Sequence, residues 1–134
     1  MPAPAAVVFD LGKVLVDFDY HIAARRIAAR SRMSLVEIAQ FINQSSLFYQ
    51  YESGALTTRQ FFEEICQATG FRGSQAEFGA SFADIFVEIE PMIRLQAELR
   101  QRGIPTYVFS NTNELAIEHI RQRFPFYAHF DGYI

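Results

Sequence analysis

The chain has 134 residues and a net charge of −3, which suits one domain or a small domain carrying an insert and argues against nucleic acid as its main partner. Half of its residues are hydrophobic and a fifth are charged, as in ordinary globular proteins, and a chain of this length buries roughly two-thirds of its unfolded surface.

Ala5-Ala6-Val7-Val8-Phe9 is an unbroken apolar run that ends at Asp10. Such a run predicts a strand buried on both faces, as in a parallel sheet. Gly12 then interrupts Leu11–Asp17. From about Asp19 to Glu90 the pattern is helical. Asp19 is placed to cap a helix carrying Ile22, Ala23 and Ile27. Ser34-Leu35-Val36-Glu37, Thr57-Thr58-Arg59-Gln60 and Ser74-Gln75-Ala76-Glu77 each read as a capping box opening a helix. Gly54 and Gly70 are stop signals.

Pro91 suits the first turn of the next helix and Gly103 the position just past its end. Ile104–Phe109 reads as a second strand, about Asn113 to Arg123 as another helix, and His129–Ile134 as the start of a third strand. Cys66, the single cysteine, excludes an internal disulfide framework and reads as apolar filler. No segment is long enough to span a bilayer and the N-terminus has no basic leader, so the expectation is a cytoplasmic protein without a membrane partner. Setting the helical block aside leaves a strand–helix–strand unit, hence a parallel pair with a right-handed crossover. The fold class expected is α/β, with an insertion at the sheet edge where ligands bind in open α/β sheets. An insertion there is placed to act as a cap.

Two places carry chemistry. Asp10 ends a buried strand, where a carboxylate suits a nucleophile or metal ligand and would be costly as core filler; a loop-capping role is the plain alternative. Ser110 and Asn111 end the second strand just before a helix, where hydroxyl and backbone N–H groups suit an anion; the plain alternative is that Ser110-Asn111-Thr112-Asn113 is a helix N-cap. Adjacent parallel strands would set Asp10 beside Ser110. His21, His119 and His129 show no paired spacing and read as ordinary surface or core residues. Arg25-Arg26 and Glu63-Glu64 read as solvated helix faces, and Phe48, Tyr49 and Tyr51 as mostly core with some chance of lining a pocket.

Val7–Asp17 resembles the first motif of the haloacid dehalogenase superfamily, and Val108-Phe109-Ser110-Asn111 resembles its second. The long helical insert between them resembles the superfamily's type 1 cap. Tyr51–Thr57 is similar to a cap segment of small-capped bacterial sugar-phosphate phosphatases. The resemblance runs the whole length of the chain. It implies a partial Rossmann-like parallel sheet from residues 1–18 and 91–134, with residues 19–90 as the cap. It also implies covalent catalysis on a small phosphate monoester, such as a sugar phosphate, with Asp10 as nucleophile. Mg²⁺ would bind the Asp10 carboxylate and the Gly12 backbone carbonyl, and Ser110 Oγ and the Asn111 N–H would hold the phosphoryl group.

The sequence departs from the superfamily pattern in three ways. Gly12 stands where most of its phosphatases carry a second Asp, although some capped phosphatases and the dehalogenases also lack it. The third motif, a Lys or Arg, and the fourth, an acidic pair, are absent. The resemblance therefore implies a C-terminally truncated chain with weakly held Mg²⁺ and little or no activity. It also implies an unpaired apolar sheet edge open to self-association. The rival readings are a metal-independent 2-haloacid dehalogenase and a non-catalytic binding or interaction module.

Overall fold

The computed structural model describes residues 4–134. In chain order the elements begin with β1 (Val7–Asp10), β2 (Val16–Phe18), α1 (Tyr20–Ala28), α2 (Leu35–Gln44), α3 (Leu47–Glu52) and α4 (Thr58–Thr69). They continue with α5 (Gln75–Ala83), β3 (Phe86–Glu88), α6 (Glu90–Gln101), β4 (Thr106–Phe109), α7 (Glu114–Arg123), a 3-10 turn (Pro125–His129) and β5 (Gly132–Tyr133). Two compact units result. One holds the chain up to Phe18, Phe86–Thr112 and Ile120–Ile134; the other holds Asp19–Ile85 and Asn113–His119.

The first unit is α/β. Its main sheet has the order β1-β4-β5, and both pairings are parallel. Phe9 and Val108 stand opposite each other in register and are buried, and the Phe9 ring meets Phe130 edge-to-face at 5.9 Å. Gln96 is buried on α6, and its Nε2 donates to Thr106 Oγ1 and the His129 carbonyl, both at 3.0 Å. A buried amide so bonded ties helix to strand without stranding a donor. Asp131 Oδ2 accepts from the Thr106 N–H at 2.8 Å. These bonds fix the end of β4 opposite to the one that carries Ser110.

The first strand was expected to be buried on both faces, and it is not. Val8 is 55% exposed while Phe9 is buried. The cause is topological: β1 is an edge strand with only its Phe9 face covered among the described residues. A second correction concerns Phe86–Glu88, which reads as helical in sequence but forms β3, antiparallel to β2. Phe18 and Phe86 are opposite each other in that pairing, and their rings meet at 5.8 Å. Cross-strand aromatic contact of this kind outweighs local helix preference.

The second unit is helical, and local chemistry draws its boundaries. Asp19 accepts from the His21 N–H at 2.9 Å and opens α1. Capping boxes are present at Ser34 with Glu37, Thr57 with Gln60, and Ser74 with Glu77. Each satisfies two backbone donors that a helix start would otherwise strand. Gly70 closes α4 with φ of 73°, a left-handed turn that glycine takes without steric cost. The core is aromatic: Phe61 and Phe78 are fully buried, and Tyr51 stacks on Phe61 with centroids 4.4 Å apart. Leu115, at the start of α7, packs against this cluster, which places Asn113–His119 in the helical unit. Of the chain's 14 phenylalanines, Phe41, Phe48, Phe61, Phe62, Phe71, Phe78 and Phe82 belong to this cluster or pack against it. Arg26 is exposed, as expected of a solvated helix face, and its Nη1 also donates to the Asp84 carbonyl at 2.8 Å, where α5 ends; a cation there meets the unpaired carbonyls of a helix terminus.

Candidate active site

Strand β1 ends in Asp10 and strand β4 ends in Phe109, and these two residues are register partners. Ser110 is the next residue. The parallel pairing therefore brings Asp10 and the Ser110-Asn111 stretch to the same end of neighbouring strands, which lie about 4.8 Å apart in any sheet. In open α/β sheets the carboxyl ends of the strands are where ligands bind.

Asp10 is exposed, and its Oδ1 accepts from the Leu11 N–H at 2.8 Å. No hydrogen bond from the described residues reaches Oδ2. The backbone then makes a tight turn, in which the Leu11 carbonyl accepts from the N–H groups of Leu15 and Val16 at 3.0 and 3.1 Å. Gly12 sits in this turn, where a Cβ would stand 3.1 Å from Phe18 Cε1. A side chain there would press on that ring, which would have to give by a few tenths of an ångström. The Gly12 carbonyl accepts no hydrogen bond among the described residues.

Ser110 Oγ is buried and has no hydrogen-bond partner among the described residues. A buried hydroxyl left unpaired costs about 1–3 kcal/mol, so its orphan state calls for an explanation. The Ser110 N–H is taken by the Ile134 carbonyl at 3.4 Å, whereas the Asn111 N–H has no partner among the described residues. The reading of Ser110–Asn113 as an N-cap is met by Asn113, whose Oδ1 accepts from the Ala116 N–H at 2.9 Å. Ser110 is thereby released from helix capping.

Lys13 points away from any role as a free cation. Its Nζ binds Asp17 Oδ1 at 2.6 Å and the Phe18 carbonyl at 3.0 Å. That contact, with the Phe18 N–H bond, holds the Asp17 carboxyl below the usual carboxylate range. The partner of Asp17 is thus the loop lysine. Tyr51, a candidate pocket residue, is buried, and its hydroxyl lies 2.7 Å from Thr58 Oγ1 while accepting from the Leu115 N–H at 3.1 Å. Burial raises its pKa. Of the three aromatic candidates only Tyr49 is freely exposed. Burial likewise raises the pKa of Cys66, the opposite of what an activated thiol needs.

The expected magnesium ion can be tested against these donors. Among the described residues no group of three or more His, Cys, Asp or Glu stands together. At the end of β1 stand the exposed Asp10 carboxylate and, two residues on, the Gly12 carbonyl, which accepts no hydrogen bond among the described residues. Magnesium sites rest on one or two carboxylates, with waters and substrate phosphate completing the shell. The donors fit such an ion at the lower end of its needs.

No family model matches the sequence. Solved structures do. A haloacid dehalogenase (HAD) family enzyme from Bacteroides thetaiotaomicron, in complex with magnesium and inorganic phosphate, superposes with a TM-score of 0.83 at 21% identity, over 98% of this chain and 68% of its own. A HAD-like family hydrolase from Porphyromonas gingivalis gives 0.77 at 22% identity, over 96% of this chain and 64% of its own. An L-2-haloacid dehalogenase gives 0.58 at 15% identity, over 99% and 64%. The chain thus spans about two-thirds of the length of these structures. Its α/β architecture is that of the haloacid dehalogenase fold, followed over nearly every residue of the chain.

Proposed function

We propose that this chain is the nucleophile-bearing part of a phosphatase of small phosphate monoesters, sugar phosphates among them, with Asp10 as the nucleophile. The observation that carries the reading is the pairing of an exposed Asp10 with a buried, unpartnered Ser110 hydroxyl at the same end of two adjacent parallel strands. An orphan donor beside a nucleophile suits an anionic group that arrives with the substrate. The complex of the Bacteroides protein with magnesium and inorganic phosphate supports this choice of ligand.

In this reading Asp10 Oδ2, free of the bond that holds Oδ1, attacks phosphorus and forms an aspartyl-phosphate. The alcohol leaves, and water then hydrolyses the acyl-phosphate to restore Asp10. Ser110 Oγ and the Asn111 N–H donate to the non-bridging phosphoryl oxygens as charge builds on them. Magnesium, held by Asp10 and the Gly12 carbonyl, would offset repulsion between the anionic nucleophile and its anionic substrate. Gly12 supplies no general acid, so protonation of the leaving group has no assigned residue here.

The single carboxylate makes this chain a weak metal binder, and turnover by it alone is expected to be negligible. Removing one electrostatic stabiliser costs on the order of 10²–10³ in rate. We further propose that the open edge of β1 pairs with a second copy of the chain. The second reading is a 2-haloacid dehalogenase, in which the same carboxylate attacks carbon and displaces halide. Gly12 in place of an acid and the dehalogenase fold match favour it.

The test is phosphate release from an aryl phosphate with and without Mg²⁺, against Asp10→Asn. No release is the expected result for this chain. Metal-dependent release lost in Asp10→Asn would establish the chemistry and overturn the expectation of inactivity. Release that survives the substitution would overturn Asp10 as nucleophile, and halide release from a 2-haloacid would select the second reading.

A further inference from the structure

The turn that follows Asp10 contains a backbone anomaly. Lys13 has φ of +64°, and no other non-glycine residue among the described ones has positive φ. A lysine takes that left-handed conformation at a steric cost, and such outliers persist only where their surroundings over-determine them. The surroundings here are specific. The Lys13 N–H donates to the Val16 carbonyl at 2.8 Å. The ammonium, carried by the only lysine in the sequence, binds Asp17 Oδ1 and the Phe18 carbonyl and lies 4.5 Å from the centre of the Phe18 ring. That ring also limits the space at Gly12. Asp17 Oδ1 in turn accepts from the Phe18 N–H at 2.9 Å.

The geometry points to Lys13 as a positioning residue: a latch that clamps the Leu11–Phe18 turn and so fixes where the Gly12 carbonyl stands relative to Asp10. This inference rests on the proposed reading of Asp10 and Gly12 as cation donors. It goes beyond that reading in assigning the chain's one lysine to loop geometry rather than to substrate charge. The ammonium makes three contacts within the turn, and all three end on Asp17 or Phe18. These contacts engage the cation within the turn. The Lys13–Asp17 pair is solvent-exposed, with side chains 61% and 54% accessible. Exposed pairs add little to global stability. The latch therefore acts on the order of one turn, and its removal leaves the fold intact. Groups that orient metal donors from outside typically change metal affinity by on the order of tenfold or more when removed.

The experiment is a titration of the ¹⁵N-labelled chain with Mn²⁺ in the presence of inorganic phosphate. The quantity read is the ion concentration that half-broadens the Leu11 and Gly12 amide signals. Lys13→Met and Asp17→Asn should each raise it by on the order of tenfold while the remaining spectrum stays that of the folded chain. Lys13→Gly relieves the positive φ but loses the ammonium, and should show the same loss. Lys13→Arg, which can pair with Asp17 and stack on Phe18, should restore near-normal broadening. Broadening abolished by Asp10→Asn but unmoved by Lys13→Met and Asp17→Asn would overturn the latch and leave the Asp10 reading standing. A Lys13→Gly chain that binds like the unsubstituted one would also overturn it, because backbone conformation alone would then suffice. No broadening near Leu11 in the unsubstituted chain would overturn the site reading, and the latch with it.

Discussion

The helical unit and the α/β unit of this chain solve the burial problem in different ways. The helical unit closes on itself: three capping boxes satisfy its helix starts, and Phe61, Phe78 and Tyr51 fill one continuous core. The α/β unit is open. β1 is an edge strand, Val8 and Phe109 are half exposed, and the hydroxyl of Ser110 is buried without a partner. The one buried hydroxyl without a hydrogen-bond partner among the described residues thus lies where the chain is proposed to bind. Stability is left unoptimised at sites that must accept a ligand.

This contrast is open to direct attack. The largest effect should come from Phe61→Ala or Phe78→Ala, at about 3–5 kcal/mol by denaturant unfolding, against a change within about 0.5 kcal/mol for Val8→Thr on the exposed face of β1. A Val8→Thr effect as large as that of Phe61→Ala would erase the contrast. Ser110→Ala should sharpen it in the opposite direction. Removing a buried, unpaired hydroxyl should leave stability unchanged or raise it by about 1 kcal/mol, while weakening phosphate binding. A loss of stability would mean that Ser110 Oγ has a structural partner.

Ser34→Ala, Thr57→Ala and Ser74→Ala should each cost about 1 kcal/mol through the lost N-cap. The pH dependence is a smaller test. Bonds from the Ser74 backbone and from Arg30 lower the Glu77 pKa from 4.5 to about 2. A lowered folded value means that the contribution is present above the ordinary carboxylate range. It should fade as pH falls from about 4.5 and be gone below about 2. Glu77→Gln should flatten that part of the acid titration. Finally, light scattering should find self-association through the β1 edge, and a clean monomer would count against it.

How much was legible follows from the same contrast. The helix starts were readable because each depends on residues three apart: Ser34 with Glu37, Thr57 with Gln60, Ser74 with Glu77. The parallel pairing of β1 with β4 followed from the strand–helix–strand order. The β2–β3 pair was missed because each strand is three residues long and its partner lies beyond the whole helical block. The facing Phe18 and Phe86 were the only trace. The bond made by the exposed Arg26 was not legible because its acceptor, the Asp84 carbonyl, is a backbone atom distant in sequence. Tyr51 was considered for a pocket because an aromatic beside a turn fits either role; its stacking on Phe61 decides for the core. At the candidate site, the positions of Asp10 and Ser110 were readable from strand ends. The N-cap within Ser110–Asn113 was readable too, whereas the lack of a partner for Ser110 Oγ among the described residues is a property of three-dimensional geometry alone.

The most direct test of the central claim is a titration of the chain with inorganic phosphate and Mg²⁺, followed by the amide signals of residues 10–12 and 110–111. The account predicts saturable shifts at Leu11, Ser110 and Asn111 that weaken in Ser110→Ala and vanish in Asp10→Asn. Shifts confined to other residues, or identical shifts in both variants, would contradict it.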